Sequence, residues 1–135
     1  MNRFPYKGFS LIELLIALAI VAILAAITVP SFSGLVAKSR RSDAMAALLD
    51  VQLAQERWRA LNFGYAPTLQ KLGWTSTDSP DGYYRLRINR ADGSGFVATA
   101  RPVGVQQVDR CGVFAVDEQG PQYSDGFADE VCWRR

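Results

Sequence analysis

Between Phe9 and Val29 the chain carries a single ionisable side chain, Glu13, among 21 otherwise uncharged residues. A helix of that length spans roughly 32 Å at 1.5 Å per residue, about the hydrocarbon thickness of a bilayer. A carboxylate inside such a segment is unfavourable by about 2–4 kcal/mol at the centre and by less near an end, so it calls for a partner or a task. Its place in the first turns also suits the positive end of the helix dipole. The plain alternative is an interfacial glutamate that snorkels to water and does nothing further.

Three other groups could carry chemistry. Cys111 and Cys132 are the only cysteines, both far beyond the apolar run. Arg85, Arg87, Arg90, Arg101 and Arg110, with Tyr83 and Tyr84 among them, could form a basic, aromatic patch for nucleic acid. Acidic residues are interspersed, so a solvated sheet face is the favoured reading and DNA contact the lesser one. Trp58, Trp74 and Trp133 read as packing anchors before a ligand cage. Histidine is absent, which removes the commonest general base and metal ligand. No glycine-rich phosphate loop, nucleophile elbow or paired-carboxylate motif is present, and no cofactor is implied.

The elements that position these residues follow from the patterning. Arg3 and Lys7 precede the apolar run and hold the N-terminus in the cytoplasm by the positive-inside rule. Lys38, Arg40 and Arg41 on the far side weaken that bias without cancelling it. A secretory signal is cut after a short apolar region, whereas here the expected cut lies ahead of the run, between Gly8 and Phe9, so the span survives. Losing Arg3 and Lys7 takes Lys+Arg from 15 to 13 against 13 Asp+Glu, leaving a neutral subunit that can stack on copies of itself. The topology puts both cysteines in an oxidising compartment, where a disulfide closing a loop of about 22 residues would contribute about 3 kcal/mol. Free thiols or a metal pair are the alternatives, and two cysteines without histidine make a poor metal site.

From residue 9 to about residue 61 no glycine-proline cluster interrupts the chain, which predicts one helix of about 53 residues and about 80 Å. Pro30 removes a backbone donor inside it, so a kink or melted turn is expected over 26–34, eased by Gly34; a helix end at Pro30 is the alternative. Beyond the proline, Met45, Leu48, Leu49 and Leu53 share one arc, and Ala47, Val51, Ala54, Trp58 and Leu61 another, which suggests two burial partners. Residues 62–80 read as a connection with a short helical turn at 67–72. Strands are predicted over 83–89, 95–101 and 111–117, with Tyr84, Leu86 and Ile88 on one face and Tyr83, Arg85 and Arg87 on the other. Residues 91–94 form the hairpin turn, Phe114 and Val116 point inward, and the tail is short and irregular. Some 73 residues after the helix are too few for an independent core, so the sheet must lean on the second half of the helix. The fold class is therefore α+β: a long N-terminal helix on a small antiparallel sheet of 3–4 strands.

The run Lys7-Gly8-Phe9 followed by Glu13 and an unbroken apolar helix resembles the type IV pilins and their relatives. Residues 62–67 (NFGYAP), Leu69, Leu72-Gly73, Gly82-Tyr83-Tyr84, Cys111, Asp117, Gly120 and Cys132-Trp133 extend the likeness to short minor pilins that end in Cys-Trp. One departure is Phe32, where many pilins carry tyrosine. The resemblance implies a leader at 1–8, a transmembrane and filament-core helix at 9–32, an amphipathic half at 33–62 and a globular region at 63–135. It further implies that a prepilin peptidase cuts after Gly8 and N-methylates Phe9, and that Glu13 pairs with the Phe9 amine of a neighbouring subunit.

The implied role is assembly without catalysis: a minor pilin of a surface filament serving adhesion and twitching motility. Its implied partners are major and minor pilins, the inner-membrane assembly platform, membrane lipid before assembly, and a tip adhesin. The implied location is the inner membrane, single-pass with the C-terminal region periplasmic, and then the cell-surface pilus. A type II secretion pseudopilin is one rival; calcium sites are common there, and Asp125, Asp129 and Glu130 are the nearest candidate ligands. A DNA-uptake pilin is the other, resting on Arg85, Arg87 and Arg101.

Overall fold

The computed structural model describes residues 8–134; Arg3 and Lys7, on which the orientation and part of the leader expectation rest, lie outside the described residues. The first helix, α1, occupies Leu11–Leu61. It opens with the amides of Glu13 and Leu14 donating to the Ser10 carbonyl at 3.1 and 3.2 Å. The helical backbone continues through Pro30 and Gly34, so the helix neither ends nor melts at the proline. A helix tolerates the one donor that proline withholds when the flanking turns keep theirs.

The chain divides into two units, at residue 36. In the first, large apolar side chains such as Leu11, Ile12, Leu18, Ile27 and Leu35 are exposed around the whole helix. Thr28 donates its hydroxyl to the Leu24 carbonyl at 2.7 Å, which hides its polar group against the backbone. This is the one helix long and apolar enough to cross a membrane among the described residues.

The second unit begins at Ala37 and holds the core. Four strands, β1 (Tyr84–Ala91), β2 (Phe96–Pro102), β3 (Phe114–Asp117) and β4 (Gly120–Pro121), form an antiparallel sheet in the order β1-β2-β3-β4. Its inner face supplies Tyr84, Leu86, Phe96, Ala98 and Phe114, which pack with Ala44, Ala47, Leu48 and Val51 of α1. Tyr84 meets Phe114 edge-on at 5.9 Å, and Phe114 meets Trp133 at 5.2 Å. Trp133 belongs to a one-turn helix, α2 (Glu130–Trp133), in the tail that the sequence reads as irregular.

Burial divides the two arcs of the helix. Its inward face draws Leu48 from one arc and Ala47 and Val51 from the other, whereas Leu49, Leu53 and Leu61 are exposed. Polar residues decide the difference, because buried Arg41, Asp43 and Gln55 share the inward face and each holds a loop. Gln55 donates to the Ala66 carbonyl at 2.9 Å and accepts from the Ala66 amide at 2.8 Å, imitating a strand partner for the connection after the helix. Asp43 accepts from the Ser79 hydroxyl and from the amides of Asp81 and Tyr83 at 3.1 and 3.2 Å, which fixes the entry to β1. Arg41 makes a two-pronged ion pair with Asp109 at 2.6 and 2.7 Å, next to the 3-10 helix Gly104–Val108. Hydrogen bonding satisfies groups whose burial unpaired would cost about 1–3 kcal/mol each.

At the hairpin, the Asp92 carboxylate accepts from the Ser94 hydroxyl and amide and the Gly95 amide at 2.6, 2.8 and 3.0 Å. The Asp92 carbonyl in turn receives the Tyr65 amide at 3.0 Å. Gly64 makes that approach possible: its φ is +84°, and a Cβ there would lie 2.8 Å from the Asp92 oxygen.

Candidate functional site

Two places carry the residues singled out from the sequence, one in each unit. Gly8 and Phe9 form exposed chain just before α1, and Glu13 lies exposed in its first turn. The stretch 14–37 that follows has no ionisable side chain. Its apolar side chains are exposed on every side, and among the described residues of this unit Glu13 is the one charged side chain.

In the second unit, the outer face of the sheet gathers arginines. Register sets Arg85 directly opposite Arg101 and Arg87 opposite Thr99. A bulge between Ile88 and Arg90 shifts the alternation, so Arg90 lies opposite Val97 and returns to the face that Thr99 and Arg101 share. Like charges directly opposed across a strand pair are destabilising, so this placement works against the sheet's own stability. Asp78 takes up one of them, accepting from Arg85 Nε at 3.3 Å. Among the described residues, Arg87 and Arg101 have no carboxylate within ion-pair distance.

These side chains border a cleft of about 800 Å³, whose walls include Arg85, Arg87, Asn89, Thr99, Arg101 and, across from them, Asp125 to Phe127. Asp125 holds a φ of +61°, a turn conformation that aspartate tolerates, and is the one carboxylate among the described residues that line the cleft. Arg110 is exposed and not part of the cleft. The aromatic half of the basic-patch reading is corrected by the geometry. Tyr84 is fully buried, which pushes its phenol up to about 12, and the Tyr83 ring is covered by the Arg40 guanidinium at 4.8 Å. The Tyr84 ring is therefore not free to stack on a base, and the half-buried Tyr83 ring already carries a cation.

Cys111 and Cys132 are joined, with Cα atoms 5.8 Å apart. Asp129 caps α2 by accepting from the Cys132 amide at 2.9 Å, and Glu130 pairs with Arg134 at 2.6 Å. With Asp125 at the cleft, the three carboxylates named as calcium candidates have separate duties. Among the described residues no cluster of three such side chains could hold a metal.

Sequence reasoning missed Arg41, Asp43 and Gln55 as organisers, since polar residues on a long helix read as its solvated side. It also missed Asn89 and Thr99 in the cleft. The period-2 alternation pointed to the outer face but could not show where a bulge falls.

Residues 30–115 match the family described as "Type IV minor pilin ComP, DNA uptake sequence receptor", and residues 3–29 match the prokaryotic N-terminal methylation motif. The chain is 32% identical over 99 residues to the type IV major pilin protein PilA of Myxococcus xanthus (strain DK1622), covering 73% of this chain and 44% of that one. It is 37% identical over 76 residues to the type IV major fimbrial protein FimA of Dichelobacter nodosus, covering 56% and 47%. The chain thus spans less than half the length of these curated relatives. Its structure resembles that of a type IV pilin from Shewanella oneidensis, with a TM-score of 0.52 and 26% identity, covering 73% of this chain and 99% of that one.

Proposed function

We propose, from the premise that this chain belongs to the type IV pilin family, that it is a minor pilin built into a cell-surface filament. The observation that carries this reading is the stalk: an exposed apolar helix, uncharged from residue 14 to residue 37, with Glu13 in its first turn. Before assembly the stalk crosses the inner membrane with the folded unit in the periplasm. A prepilin peptidase removes residues 1–8, and Phe9 becomes the methylated N-terminus. The assembly platform then moves the stalk from lipid into a bundle of sister helices, where close packing replaces acyl chains and Glu13 meets the amine of a neighbouring Phe9. Pro30 and Gly34 give that helix a place to bend as it is drawn in. Adhesion and twitching motility are the activities such a filament would serve.

Sheared surface filaments, quantified for this chain against the main subunit, test the role. A small but reproducible fraction co-purifying with the filament supports a minor pilin. A chain confined to the membrane fraction, with filaments free of it, would overturn the reading.

A second reading, DNA capture during uptake, draws on the cleft beside Arg85, Arg87 and Arg101 and on the name of the matching family. Phosphate contacts release counterions, so binding through these arginines would fall steeply with salt. Replacing Arg87 and Arg101 by alanine should reduce the salt slope by about 2 if both touch phosphate. A slope unchanged by both substitutions would remove DNA from the cleft.

A further inference from the structure

The folded unit exposes two large apolar side chains on one short element. In the 3-10 helix Gly104–Val108, Gln106 is fully buried, while Val105 is 64% and Val108 90% exposed. Gln106 donates its amide to the Ala37 carbonyl at 3.0 Å, and to the Tyr84 hydroxyl and the Asp109 carboxylate, each at 3.1 Å. The element is therefore fastened to α1 at residue 37. That position is also where the uncharged run stops: Lys38 is the first ionisable side chain after Glu13. The 24 residues 14–37 measure about 36 Å as helix, against about 30 Å of hydrocarbon, so a helix spanning the bilayer brings Ala37 and Lys38 out at the headgroup layer.

We propose that Val105 and Val108 rest in the headgroup layer of the membrane that the stalk crosses, with Lys38 and Arg110 on anionic lipid headgroups. This inference rests on the membrane-spanning reading of the stalk. Lys38 and Arg110 are exposed, one beside Ala37 and the other two residues after Val108. Asp109, the carboxylate between Val108 and Arg110 in sequence, is already neutralised by Arg41. The surface thus presents apolar tips with cations and no free carboxylate on its own element, the combination that favours an anionic bilayer surface. Such a contact would hold the folded unit at a set height on the leaflet while the subunit awaits extraction, and it would be given up on assembly.

The test uses the full-length chain in vesicles of phosphatidylethanolamine and phosphatidylglycerol, with a nitroxide-bearing residue placed at position 108 or, as a control, at 63. Phe63 is fully exposed and follows the end of α1 at Leu61, which lies about 35 Å along the helix from Lys38. Flotation with the vesicles that resists alkaline carbonate extraction checks the spanning premise by itself; a chain that stays in solution or is extracted overturns that premise. For the floating protein, the label at 108 should be at least about threefold less accessible to a water-soluble nickel reagent than the label at 63. Replacing phosphatidylglycerol by phosphatidylcholine should reduce that protection. Equal accessibility at 108 and 63 would overturn the proposal, and protection indifferent to lipid charge would remove Lys38 and Arg110 from it. Protection at 108 found in filaments but not in vesicles would assign the surface to a neighbouring subunit instead.

Discussion

Residues 8–36 and residues 37–134 share one helix and solve opposite problems. The first unit buries almost nothing of its own: its leucines and isoleucines face outward on every side, and its charge is reduced to Glu13. Within the second unit, the same helix turns Ala44, Leu48 and Val51 onto a sheet and uses Arg41, Asp43 and Gln55 to hold three loops. The lesson is that helix propensity builds the rod, but the surroundings that stabilise it are external in one half and carried by the chain in the other.

The separation predicts that changes in one unit leave the other intact. The largest expected effect belongs to the stalk: Glu13→Ala should lower incorporation into sheared filaments by tenfold or more, with processing, membrane insertion and the near-ultraviolet circular dichroism of the folded unit unchanged. Loss of the folded-state signal in that variant would break the division.

Next in size is Asp109→Ala, which leaves the buried Arg41 guanidinium without its carboxylate and should destabilise the folded unit by about 3–5 kcal/mol in denaturant titration of the full chain in detergent. A change below about 1 kcal/mol would show that water reaches the pair. Cys111→Ala with Cys132→Ala opens a loop with a sequence separation of 21 and should cost about 3 kcal/mol, while α1 keeps its far-ultraviolet signal and membrane partitioning.

The pH responses of the folded unit are smaller. Burial raises the Tyr84 phenol from 10.0 to about 12, so the neutral form stabilises the fold fully below about pH 10. That contribution is lost as pH rises through about 12, and Tyr84→Phe should flatten the alkaline limb. Asp92 runs the other way. Hydrogen bonds from the Ser94 hydroxyl and amide and the Gly95 amide hold it at about 2, below 3.8. The charged form therefore helps above about pH 4, and the help fades as pH falls toward 2; Asp92→Asn should blunt the acid limb. Either variant leaving its limb unchanged would show that the group is not linked to unfolding.

Much of this protein was legible from residue order because the relevant physics is local or one-dimensional. A long run of uncharged residues with one glutamate declares an apolar helix, the alternation from Tyr84 to Ile88 declares a half-buried strand, and the chain's two cysteines invite a bond. Partners distant in sequence required the tertiary structure. Only the fold could bring Arg41 to Asp109, Asp43 to Ser79 and Gln55 to Ala66, and so turn the inward face of the helix from the apolar arcs to a mixed one. Only the bulge before Arg90 could decide which arginines share a face, and only packing could fasten Gln106 to Ala37. The reason is physical: a side chain's period is set by its neighbours in sequence, but whether a polar group is buried or solvated depends on which distant group arrives to meet it.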